Sequence, residues 1–183
     1  MFLPTSGSRQ SPARAAWPPV DYVSMSRALL IVDVQNDFCP GGSLGTDRGD
    51  EVAGHIAELA VERAPGSEGG YAEILATQDW HIDPGSHFSD NPDYVDSWPV
   101  HCVADSEGAD PSGTPLASYL REHAIDSLNV CGIATDYRVR ATVLDALREG
   151  FQVRVLAELC SPVDAARGNA ALDEMRAAGA EVA

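Results

Sequence analysis

The richest stretch of ligating side chains in this 183-residue chain is "DWHIDPGSHFSDNPDYVDSWPVHC", residues 79–102, which supplies Asp79, His81, His87 and His101. Three of the five histidines fall within it. A carboxylate grouped with several imidazoles suits a borderline or hard divalent ion, Zn²⁺, Fe²⁺ or Mn²⁺. His55 and His123 stand apart from the group and read as surface residues. Asp33 closes the apolar run "RALLIVD", where a carboxylate is costly unless it is paired or working. It is a candidate general acid/base, the alternative being a helix cap or a structural ion pair. A third feature is "GIATDYRVRAT", residues 132–142, which reads as a strand turning into a helix, a place where many α/β enzymes hold their nucleophile. The side chain offered there is Arg138, which cannot attack an electrophile.

The elements that must position these groups follow from the apolar pattern. Residues 27–33 form a continuous apolar run, as expected of a parallel strand buried on both faces. Residues 47–64 carry helical spacing after an acidic start, 71–79 read as a second strand, and a long Pro/Gly/His/Asp loop follows to about 113. A helix at 115–124, a strand at 127–133, a helix at 136–150, a strand at 152–158 and a helix at about 163–178 come next, and 180–183 begin another strand. This alternation predicts an α/β fold, a parallel sheet sandwiched by helices, with its working site at the carboxyl ends of the strands. Asp33, Asp79, His81 and the segment 134–138 all lie just past strand ends.

The totals narrow the function classes. At this length, with 44% hydrophobic residues, one well-buried core is expected, over residues 25–183. Residues 1–24, rich in Pro, Ser, Ala and Arg and without periodicity, read as a disordered leader. The formal net charge of −16 repels phosphate backbones and anionic membranes, which argues against nucleic-acid and membrane partners. All 12 basic residues are Arg, so chemistry that needs a lysine with a movable pKa is unavailable. Four scattered cysteines, with no CxxC pair, fit a reducing cytoplasm better than a zinc knuckle or a secreted disulfide framework.

Several blocks in order, "RALLIVDVQNDFCPGGSL", "ATQDWHIDPGSHFS", "DSWPVHCV", "GADP", "SGTPL" and "VCGIATDYRVRATVLDAL", resemble nicotinamidase/pyrazinamidase, within the isochorismatase-like cysteine hydrolases. The resemblance covers nearly all of residues 26–183. It implies a Rossmann-like three-layer fold and a Cys–Asp–Lys triad that hydrolyses nicotinamide to nicotinate and ammonia in NAD salvage. By the same resemblance Asp33 matches the acid of the triad. Asp79, His81 and His101 match the metal ligands, with His87 accessory. Phe38 and Trp98 match the ring-stacking positions, Ile133 and Tyr137 the neighbouring substrate-binding ones, and Ala134 with the amide of residue 138 the oxyanion hole. The implied ligand is a small nicotinamide-like molecule.

The chain departs from that pattern twice. Arg138 stands at the nucleophile position, where the family reads "ATDYCVRAT". "GADPSGTPL", residues 108–116, joins two blocks that the family separates by a segment carrying an edge strand and the catalytic lysine. An inactive or severely impaired hydrolase is therefore expected, alternatively a non-catalytic metal- and ligand-binding protein or a degenerate scaffold. Cys131 is expected in the core, while Cys39 and Cys102 fall near the site without a helix N-terminus to activate them. Arg138 is expected to pair with Asp33 and to hold an anionic ligand in its fork, the alternative being a loss-of-function substitution whose side chain swings to solvent. Loss of the edge strand would expose another strand through which the chain could form a homodimer.

Overall fold

The computed structural model describes residues 26–94, 96–104 and 116–183. The expected leader and the joining segment 105–115 lie outside the described residues. Within them the chain forms a five-stranded parallel sheet flanked by helices, in the order β2-β1-β3-β4-β5. The strands are β1 (Arg27–Val32), β2 (Glu73–Ala76), β3 (Ser127–Ile133), β4 (Gln152–Ser161) and β5 (Glu181–Val182). The helices are α1 (Gly49–Glu62), α2 (Leu116–Glu122), α3 (Arg140–Arg148) and α4 (Ala165–Ala177). The expected elements are all present, with β2 shorter than its apolar run and β4 three residues longer than expected.

β3 is central and buried at every position, so its sequence "SLNVCGI" has no polar-outward alternation. β1 runs beside it in register from Arg27↔Ser127 to Val32↔Gly132. Leu29, Leu30, Leu128, Val130 and Val155 are closed off from solvent at this centre. Each contributes about 1.5–3 kcal/mol through burial. α1 turns Val52 and Ile56 inward, and α4 turns Ala171 and Met175. Asp164 caps α4, its carboxylate accepting from the Arg167 N–H at 2.8 Å, which satisfies one of the unpaired donors of the first turn.

Two irregularities shape the carboxyl end of the sheet. The β3–β4 register shifts between Val130 and Gly132, and Gly132 adopts φ +128° with Val32 O only 2.1 Å from where a Cβ would sit. Only glycine fits that close approach of two backbones. The chain then passes through a cis Ile133–Ala134 peptide into one π turn, Thr135–Val139, before α3 begins. The expected helix at 136–150 thus starts as a wider turn, a form often found at functional sites.

Candidate active site

β1 delivers Asp33 to the carboxyl end of the sheet in a left-handed backbone conformation, φ +47°. Aspartate tolerates that region better than most residues, and strained backbone of this kind clusters at working sites. The Asp33 carboxylate is buried and accepts from Thr77 Oγ1 at 2.7 Å. Burial pushes its pKa up, against the opposing effects of the Thr77 hydroxyl and the Arg138 charge.

The loop after β2 has little regular structure, yet two isolated bridges fold it back on itself. His81 pairs with Val103 and Phe88 with Trp98, so residues 22 and 10 positions apart meet. Supporting bonds run from His81 N to Cys102 O at 2.9 Å and from Trp98 N to His87 O at 2.8 Å. The ligating nitrogens of His81, His87 and His101 consequently lie within 4.8 Å of one another. Asp79 Oδ2 joins them, 3.1 Å from His81 Nε2 and 3.3 Å from His101 Nε2.

These residues fit a divalent ion on the structure's own terms. His87 Nε2 is buried with no hydrogen-bond partner among the described residues, an open ligand atom beside two further imidazoles. His101 Nδ1 sits 2.7 Å from Pro99 O, the kind of contact that fixes a ring and turns its other nitrogen toward a metal. Burial by itself raises the pKa of Asp79, but the hydrogen bond with His101 and the charges of Arg138 and His81 outweigh it. The carboxyl is held well below the usual range.

Arg138 connects the two acids, though not in the expected way. Its Nη2 donates to Asp79 Oδ1 at 2.9 Å, while its Nε stands 3.9 Å from Asp33 Oδ2. The expected Arg138–Asp33 ion pair is therefore present but long, and the closer partner is Asp79. The reason is placement: the π turn projects the guanidinium across the mouth of the site toward the β2 loop, with Asp33 behind it at the end of β1.

A cavity of about 680 Å³ opens in front of this arrangement. Phe38, Trp98, Ile133, Ala134, Tyr137 and Arg138 all line it, together with Asp79, His87 and His101. Trp98 meets Tyr137 edge to face at 5.1 Å and Tyr94 at 5.7 Å, so an aromatic wall faces the polar cluster. Asp33 and His81 do not line the cavity among the described residues; they sit one layer back. A larger cavity of about 790 Å³ lies elsewhere on the sheet, around Arg27, Asn129 and Arg154, and carries none of the expected site residues. Chemistry, not volume, identifies the site.

Sequence reasoning missed the residues that brace this site. The Gln35 side chain holds the Asp79 backbone from both sides, accepting from its N–H at 2.7 Å and donating to its C=O at 3.1 Å. Asp37 accepts from the Cys102 N–H at 2.7 Å, next to His101. The Asp136 carboxylate accepts from Val163 N at 2.9 Å and meets Arg167 Nε at 3.4 Å, and that guanidinium lies over the Tyr137 ring at 5.2 Å. Gln35 and Asp37 were visible in the block "DVQNDF", but their partners lie more than 40 positions away. His55 and His123 are exposed, as expected.

Comparison with known proteins accords with this geometry. Residues 27–183 match the isochorismatase domain. A nicotinamidase/pyrazinamidase of Mycobacterium tuberculosis is 42% identical over 186 residues, covering 85% of this chain and 97% of its own. The nicotinamidase of Escherichia coli is 35% identical, covering 84% and 92%. Among solved structures, the pyrazinamidase of Pyrococcus horikoshii in complex with zinc superposes with a TM-score of 0.72 at 30% identity, over 86% of this chain and 98% of that one. PnC1 from L. infantum in complex with nicotinate gives 0.73 at 29%, over 87% and 92%. The fold, the family match and the identity to these relatives lead to one conclusion: the chain belongs to the isochorismatase family and, within it, to the nicotinamidases.

Proposed function

We propose that this protein binds a divalent metal ion and a pyridine-type ligand in the nicotinamidase pocket without hydrolysing amides at an appreciable rate. The observation that carries this reading is Arg138, an unreactive guanidinium held by Asp79 in the turn after β3, where the family resemblance calls for a cysteine thiolate. In the family pattern Asp33 would take that thiol's proton; here it faces an arginine.

No other cysteine is suited to replace the missing thiol. Cys131 and Cys160 are buried in β3 and β4, their thiols pushed up in pKa by burial, Cys160 to about 12. Burial, with the nearby carboxylates of Asp79, Asp37 and Asp33, pushes Cys102 up to about 12. Cys39 is also shifted upward, by burial and by Asp50. Thiols in such surroundings carry almost no thiolate at neutral pH. The lysine of the resembled triad has no candidate in a Lys-free chain. The stretch aligned with the M. tuberculosis relative runs to 186 positions, more than the 85% of this chain that takes part, so that relative has residues with no counterpart here.

Asp79, His81, His87 and His101 would hold the ion, with Zn²⁺, Fe²⁺ and Mn²⁺ the candidates by ligand type. The ion would supply a Lewis-acid contact that orients a ring nitrogen. Phe38, Trp98 and Tyr137 would enclose the ring, and Ala134 and Arg138 would face its substituent. The P. horikoshii neighbour with zinc and the L. infantum neighbour with nicotinate support both parts of the reading. The test is ammonia release from nicotinamide by zinc-loaded protein, beside calorimetric titration with nicotinamide and nicotinate. Binding without ammonia is expected. Turnover overturns the reading, and absence of binding leaves only a scaffold.

A further inference from the structure

Resting on that reading of the pocket, we propose that Arg138 makes the site selective for planar aromatic monocarboxylates over the corresponding amides, so that the protein is a receptor for the acid.

The argument begins with how Arg138 is held. Its side chain is half exposed and lines the cavity that Phe38, Trp98 and Tyr137 also line. One nitrogen is fixed by Asp79 at 2.9 Å, and Nε faces Asp33 at 3.9 Å. Among the described residues no acceptor takes its other N–H groups. The guanidinium is thus anchored on one edge while the other remains available, so a ligand meets a donor fork that has already lost most of its freedom. A carboxylate offers two acceptor oxygens to such a fork and can engage it through two parallel bonds. A carboxamide offers one acceptor and sets its NH₂ donors against further donors.

Charge points the same way. Two carboxylates and one guanidinium leave the metal-free cluster with an excess of negative charge. A divalent ion at Asp79, His81, His87 and His101 reverses that sign and leaves the site complementary to a monoanion. The carboxylate should therefore bind well only in the presence of metal. Selectivity is then a property of the substituent end of the pocket, whereas the aromatic wall is indifferent to acid or amide.

The experiment is calorimetry on the full chain loaded with zinc, titrated with nicotinate and with nicotinamide, for the unaltered protein, Arg138→Gln and Arg138→Lys. Nicotinate is expected to bind at least about 10-fold more tightly than nicotinamide to the unaltered protein, the scale on which unpaired polar groups discriminate. Arg138→Gln should abolish that preference by weakening nicotinate at least about 10-fold more than it weakens nicotinamide. Arg138→Lys, which keeps the charge and loses the fork, should fall between them. Stripping zinc should weaken nicotinate more than nicotinamide. Equal binding of acid and amide to the unaltered protein, or a preference that survives Arg138→Gln, overturns this proposal and leaves the ligand-binding reading standing. Failure of the unaltered protein to bind either ligand overturns both. Should Arg138→Gln not fold, a full acid preference retained in Arg138→Lys overturns the role of the fork.

Discussion

His81, His87 and His101 sit on a loop with almost no regular structure, whereas Arg138 sits on a turn welded to the most buried strand of the sheet. On the proposed reading the metal-side residues are nevertheless the ones that keep the chemistry of the resembled family, and the rigid turn holds the one that departs. Regularity of the backbone and retention of chemistry are evidently separate matters. The loop keeps its geometry through specific braces, the Gln35 clamp on Asp79 and the Asp37 bond to Cys102, which a substitution at position 138 does not touch. The turn keeps its geometry through Gly132 and the packing of Val139, and these hold whatever side chain projects from it. On the proposed reading the nucleophile position can thus change type without loss of either fold or ligand cluster.

The sharpest way to break that contrast is to restore the thiol. Arg138→Cys is expected to remain at background in ammonia release, because the Lys-free chain offers no lysine to complete the resembled triad. Loss of a catalytic triad costs on the order of 10⁶-fold in other hydrolases, so even slight recovery would be measurable. Recovery approaching that scale would show that the nucleophile alone was missing.

The rigidity of the turn is tested by Gly132→Ala. A methyl group there would stand 2.1 Å from Val32 O at φ +128°, and neither backbone can yield without disturbing β1 and β3. The expected loss is about 4 kcal/mol or outright failure to fold, by the scale of strained and overpacked core sites. Urea denaturation measures it, and a change below about 1 kcal/mol would mean that the turn is softer than its geometry implies.

The loop is tested by His101→Ala. Even partners outside the ligand set typically cost about 10–100-fold in metal affinity, so removal of a buried ligand should exceed the lower end of that range. Competition with a chromophoric chelator checks it, and His55→Ala, exposed on α1, serves as the neutral control.

The smallest effect separates the two acids that flank Arg138. In metal-stripped protein Asp79 has a depressed pKa, so its contribution to stability is present above its unfolded value and is lost as pH falls through the folded one. Asp33 has a raised pKa, so the cost of its buried charge is relieved as pH falls through its folded value. Asp79→Asn should therefore reduce the acid sensitivity of the urea midpoint between pH 7 and pH 3, by about 2 kcal/mol or less. Asp33→Asn should increase that sensitivity. Identical pH profiles for the two variants would contradict the assignment of opposite shifts.

Much of this was legible in the chain itself. Apolar runs at β1 and β3 and helical spacing between the strands announced a parallel sheet, because burial on both faces leaves a strand no reason to alternate. The clustering of Asp79, His81, His87 and His101 announced a ligand set by residue type, while it took the two bridges within the loop to bring His101 back to the others. Residue types also sufficed to see that the chain has no lysine and that an arginine occupies the turn.

Tertiary structure decided the rest. Arg138 was expected to pair with Asp33; that ion pair forms at 3.9 Å, but the closer partner is Asp79 at 2.9 Å, since pairing depends on where the π turn aims the side chain and sequence separation carries no such direction. The roles of Gln35 and Thr77 arise from contacts across 44 positions, made only once β1 and β2 lie side by side. Periodicity reports which face of an element is buried. It says nothing of which atoms meet across the gap between two elements, and at the carboxyl end of this sheet that meeting sets the chemistry.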